Sequence, residues 1–149
     1  MYPDPRVVRA IDESFVPVRV HVKNNADAYK TLGERFGVQW TPTVLVVDKT
    51  GQERHRIEGF LPTEDFLPQL LLGAAHAAFA VGDFTTAARL YDDISNNHSG
   101  TDAGPEAQYW AGVSRYKGTG DASALKETAR KFTERFQETS WAKKSSVWR

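Results

Sequence analysis

The segment from Trp40 to Gly51 constrains this chain more than any other. Trp40-Thr41-Pro42-Thr43 runs directly into Val44-Leu45-Val46-Val47, and Asp48-Lys49-Thr50-Gly51 follows at once. Proline lacks the N–H that a sheet ladder needs, so Pro42 marks where a strand begins. The unbroken apolar run after it predicts a strand buried on both faces. Gly51 suits the positive φ of a hairpin turn, which returns the chain through a second strand over residues 53–59. Around this hairpin the chain has no cysteine, which removes disulfides, thiolate metal sites and thiol nucleophiles from its chemistry.

The flanks alternate helix and strand. Asp4-Pro5 is a helix start, a carboxylate N-cap followed by proline where the missing N–H costs nothing, and Val7, Val8, Ile11 and Phe15 mark one face. Apolar and polar residues alternate from Val18 to Val22, which predicts a strand. Asn24, Asn25 and Asp27 introduce a helix with a Tyr29, Leu32, Phe36 stripe that Gly37 ends. A further helix is expected from a Thr63 cap to Val81, bent slightly at Pro68.

This order resembles the second half of the thioredoxin fold. The matching landmarks are the strand 18–22, Phe36-Gly37-Val38, the Thr41-Pro42-Thr43 loop, the turn at Gly51, and Gly59 ahead of the last helix. The likeness covers about residues 1–72, and Tyr2-Pro3-Asp4-Pro5-Arg6-Val7-Val8 resembles the piece after the Cys-x-x-Cys turn of bacterial relatives. It implies a relation to thiol-disulfide oxidoreductases, with the cysteines expected just upstream of Met1. It also implies that the Thr41-Pro42 bond is cis and that Thr41 and Pro42 border an edge where extended peptides add as a strand, with Trp40 as an aromatic platform. The competing reading has Pro42 shaping a turn and Trp40 filling the core.

In the full thioredoxin sheet another strand lies between those matching 18–22 and 44–47. Losing it forfeits about five ladder hydrogen bonds per side at about 1 kcal/mol each, large against a typical stability of about 5–15 kcal/mol. The two strands are therefore expected to pair directly through a right-handed crossover, or two chains to exchange elements as a homodimer.

From about residue 69 the pattern changes. Ala74, Ala75, Ala78 and Phe79, then Gly82-Asp83-Phe84, then Ala87, Ala88 and Tyr91 resemble a tetratricopeptide unit. A weaker copy follows, with Glu106, Tyr109, Trp110, Gly112, Val113 and Tyr116 in its first helix, Gly120-Asp121 at its turn, and Leu125, Ala129, Phe132 and Phe136 on its second. The residues 95–105, rich in Asn, Ser, Gly and Asp, form the linker. The expected architecture is thus an α/β (α+β) thioredoxin-like sheet with helices over 1–72, and helical hairpins of tetratricopeptide type over 73–149 packed on it.

Other chemistry fails on inspection. His21, His55, His76 and His98 share no metal-ligand spacing, and His76 reads as filler on an Ala-rich helix. Asp92-Asp93 and Glu64-Asp65 are adjacent pairs that diverge on a helix, the latter suited to a helix N-terminus. Arg54-His55-Arg56 reads as an edge-strand guard. Nine Lys/Arg face four Asp/Glu from residue 114 onward, a solvated helical face without a nucleic-acid motif. Trp141 and Trp148, seven positions apart, are expected to cap the last helices, although Trp148 also suits docking on a partner chain. No run reaches the roughly 18 apolar residues of a membrane span and no secretion signal is visible, so a cytoplasmic location is expected.

No catalytic residue, cofactor or metal is expected. Three function classes remain: an oxidoreductase relative without its redox residues, a peptide- or protein-binding adaptor using Trp40, Thr41 and Pro42 or the helical repeats, and a self-associating structural protein.

Overall fold

A computed structural model describes residues 4–149 of the chain. Tyr2 and Pro3 of the thioredoxin-like landmark lie outside the described residues. Helix α1 (Pro5–Ser14) begins as expected, its N-cap Asp4 accepting from the Arg6 backbone N–H at 2.8 Å. Arg6 in turn bridges Asp4 and Glu64, and its hydrogen bonds hold the Asp4 carboxyl down to about 2. Helix α2 (Ala26–Phe36) ends at Gly37, whose φ is +61°. Strands β1 (Thr43–Val47) and β2 (Glu53–Glu58) form an antiparallel hairpin with a register irregularity between Val46 and Val47. Helix α3 (Thr63–Ala80) crosses beneath it.

The strand expected over 18–22 does not form. Residues 15–21 have no regular structure, and Val16 and Val18 are 92% and 81% exposed. Alternation creates a strand only where a neighbour completes the ladder, and here none does: the described sheet has two strands, β1 and β2. Direct pairing of 18–22 with 44–47 is therefore also absent. Nor is β1 buried on both faces. Val46 is buried and Val44 packs beside it, but Val47 is 40% exposed, because α3 covers one face alone. On that face Val7, Val46, Ile57, Phe66, Leu67 and Leu70 form a core, each contributing on the order of 1.5–3 kcal/mol. The approach is close. A Cβ on Gly73 would lie 2.4 Å from a Val46 methyl.

The helical half follows as α4 (Phe84–Asn97), α5 (Ala103–Thr119), α6 (Ser123–Glu134) and α7 (Ser140–Ser145), closed by a 3-10 turn at Ser146–Trp148. Gly82 and Gly120 take φ of +80° and +73° between successive helices. Asp83 caps α4, accepting from the Thr86 backbone N–H. Small residues set the spacing: Ala75, Ala87, Ala103, Ala107 and Ala111 pack with Leu72, Tyr91 and Ile94 in a second core. Leu71 of α3 touches both cores, so one helix joins the two halves.

Three boundaries differ from expectation. Pro62, not Thr63, is the N-cap of α3. The linker shortens to residues 98–102, because Pro105 sits in the first turn of α5, where a proline is tolerated. Phe136 lies beyond α6 with φ +64°, a left-handed conformation uncommon for a bulky side chain. Among the described residues no helix is long and apolar enough to cross a membrane.

Candidate functional site

The residues singled out by sequence converge at the entry to β1. The Thr41–Pro42 peptide bond is cis. The Thr43 hydroxyl donates to the Trp40 carbonyl at 2.7 Å, closing the loop on itself. Trp40 is 68% exposed and does not fill the core. Gly59 donates its N–H to the Pro42 carbonyl at 2.8 Å, which fixes the phase of the ladder. In an antiparallel pair the backbone groups of alternate residues face the partner strand. Those of Val44 and Val46 therefore face β2, opposite Ile57 and His55, and those of Thr43 and Leu45 face away. With β2 the only strand beside β1 among the described residues, this second edge carries unsatisfied peptide groups, a template for strand addition.

The face opposite α3 is fastened by arginine. Arg56, across from Leu45, pairs with Glu53 and Glu58 and donates to the carbonyls of Phe36 and Gly37. That ties the end of α2 to the hairpin, although no residue of α2 is buried. Arg35 donates to the Gly51 carbonyl at 3.1 Å. Arg54 pairs with Asp48 at the turn, and the Thr50 and Arg54 hydrogen bonds hold the Asp48 carboxyl well below the usual carboxylate range. The Arg54-His55-Arg56 run is thus spent on local ion pairs and on His55, which faces α3.

A second cluster escaped the sequence reading. His55 on β2 and His76 on α3 approach with ring centroids 5.5 Å apart. His76 Nδ1 lies 2.5 Å from the Tyr91 hydroxyl and its Nε2 is 3.3 Å from Glu106. A carboxylate only accepts, so Nε2 donates to Glu106, and in the neutral ring Nδ1 then accepts from the Tyr91 hydroxyl. His55 Nε2 lies 2.8 Å from Gln69 Oε1. Burial lowers the His55 pKa, reinforced by His76 and opposed by Gln69; burial pushes the Tyr91 phenol up. Phe79, Trp110 and Trp141 complete a cleft of about 550 Å³. Among the described residues no group of three or more His, Cys, Asp or Glu is placed to hold a metal.

The two C-terminal tryptophans meet on one residue. Trp148 stacks on Tyr109 at 4.8 Å and Trp141 lies 5.2 Å from the same ring. Residues 18–22, 55 and 76 share neither the edge nor the loop with Trp40, Thr41 and Pro42.

Comparison with known families matches residues 1–73 to the thioredoxin-like domain, just under half of the 149 residues, which supports a thioredoxin-like fold for the first half and relates it to thiol-disulfide oxidoreductases. No curated protein and no solved structure matches the chain.

Proposed function

We propose that this protein is a non-catalytic binding module that takes an extended peptide along the free edge of β1, beside Trp40, Thr41 and Pro42. The observation that carries the reading is the outward-facing backbone of Thr43 and Leu45 next to an exposed tryptophan. Main-chain pairing supplies affinity without regard to sequence, and an aromatic surface adds contact area at small entropic cost. Thiol exchange needs a thiolate, and this chain contains no cysteine. The helical half acts as a buttress of tetratricopeptide type, two helix pairs with Gly-Asp turns 38 positions apart, near the usual repeat of about 34.

The test uses a labelled peptide of alternating valine and threonine flanked by lysines, with binding read by fluorescence anisotropy. Leu45→Pro deletes one outward N–H and leaves the ladder to β2 intact, since proline is tolerated on an edge facing solvent. This variant and Trp40→Ala each weaken binding about tenfold, roughly the worth of one well-made contact. Unchanged affinity in both variants refutes the reading.

A second reading has the same edge pairing with another copy of the chain, a homodimer. It is favoured by the exposure of Val16 and Val18, which an exchanged element would cover. A concentration-dependent dimer mass, lost in Leu45→Pro, distinguishes it from peptide binding by the monomer.

A further inference from the structure

A polar cavity of about 310 Å³ opens between α4, α5 and α6, away from the β1 edge. Its lining combines Gln108, Arg115, Lys131 and Arg135 with the carboxylates of Asp92 and Glu134. Gln108 is 4% exposed, and its Nε2 has no hydrogen-bond partner among the described residues. The amide cannot escape by turning over. Arg135 Nε, which only donates, meets Gln108 Oε1 at 2.6 Å, so the amide oxygen is fixed toward the guanidinium and the NH₂ group is left seeking an acceptor. A buried donor in that state is costly unless water or a ligand meets it.

The charges of the lining are unevenly matched. Asp92 pairs with Arg115, and Glu134 pairs with Arg130 from outside the lining. Lys131 and Arg135 form no direct ion pair among the described residues, although the Lys131 charge acts through space on Glu127. Arg135 spends its N–H groups on neutral acceptors instead: Gln108 Oε1, the Ser95 carbonyl and hydroxyl, and Asn96 Oδ1. It is held in place between these acceptors and the Phe136 ring, 4.8 Å from its guanidinium, which gives the left-handed backbone at Phe136 a role.

We infer that this cavity is an anion site that takes a single carboxylate group, held by the charges of Lys131 and Arg135 and, once a small shift of the closely packed Gln108 side chain opens its Nε2 to the cavity, by that amide donor. An ammonium and a guanidinium without a direct ion pair supply the field, and the neutral amide supplies a directed donor. The lining sets Arg115, Lys131 and Arg135 against Asp92 and Glu134, a single excess positive charge that suits a carboxylate better than a doubly charged phosphate. The carboxylate comes either from a small free acid or from the end of a peptide chain.

The experiment follows the Gln108 side-chain amide by ¹⁵N-¹H correlation NMR while acetate, inorganic phosphate, and one short peptide in free-acid and amidated forms are titrated in. The expected result is a saturable shift with acetate or the free-acid peptide, weaker with phosphate and absent with the amidated peptide. Tighter binding of the free-acid peptide than of acetate assigns the source to a chain end, and equal binding assigns it to free acids. Lys131→Gln raises the dissociation constant about tenfold. Lys126→Gln, on the same helix but outside the lining, leaves it unchanged. No saturable shift at millimolar ligand, tighter binding of phosphate, or equal loss in the two lysine variants overturns the assignment.

Discussion

Gly73→Ala tests the way α3 seats the hairpin. The added Cβ would meet Val46 at 2.4 Å from Cγ2, 2.9 Å from Cβ and 3.1 Å from Cγ1. Ordinary carbon contacts lie near 3.5–4.0 Å. Turning the valine about χ1 cannot help, because the Cβ itself is too close, so β1 must move about 1 Å away from α3. Overpacking of this kind costs up to about 3 kcal/mol, and alanine returns about 1 kcal/mol of helix propensity. The net is about 2 kcal/mol of destabilisation. In a chain of 149 residues that lowers the melting temperature by about 8 °C at roughly 4 °C per kcal/mol. Urea denaturation of the single and double variants isolates the cause. Val46→Ala alone costs about 2 kcal/mol through its cavity; it removes both methyls from the clash but keeps the Cβ at 2.9 Å, so the double variant is less destabilised than the sum by about 1 kcal/mol. Additive effects would refute the claim that Gly73 is there to admit Val46.

Three further outcomes are expected. The depressed His55 pKa means that the unfolded chain binds more protons below its ordinary value of about 6.5; stability present above that pH falls as the solution is acidified, and His55→Gln reduces the slope of urea midpoint against pH between roughly 6.5 and 5. The raised Tyr91 phenol has the opposite sense: above about pH 10 the unfolded state loses a proton that the folded state keeps, so stability drops with rising pH, and Tyr91→Phe flattens that drop in alkaline melts. Trp141→Ala lowers the melting temperature more than Trp148→Ala, because Trp141 touches both Tyr109 and the cleft beside Trp110, whereas among the described residues the Trp148 ring meets one aromatic ring, that of Tyr109; equal shifts in thermal melts contradict this.

Local chemistry made some elements legible in the sequence. Asp4-Pro5, Gly37, the apolar run after Pro42 and the turn at Gly51 each act through backbone preferences that neighbours do not override, and each stands where it was expected. The strand over 18–22 was not legible, because alternation records a two-sided environment only when a partner strand supplies one. Pro105 misled in a different way: a proline reads as loop, but in a first turn it has no N–H to lose. Trp40, Thr41 and Pro42 were visible as neighbours in sequence. The cavity of Gln108, Lys131 and Arg135 was not, since its residues come from separate helices and meet only through the tight packing of α5 on α6, where a Cβ on Gly112 would strike Thr128.

The central claim, that β1 offers its outer edge to an extended peptide, is tested most directly by amide hydrogen exchange at Thr43 and Leu45 with and without the valine-threonine peptide. In the free protein these two amides exchange quickly while those of Val44 and Val46 are protected, and the peptide slows Thr43 and Leu45 selectively. If Thr43 and Leu45 are already protected in the free monomer, or if saturating peptide leaves their exchange unchanged, the edge is not the binding site.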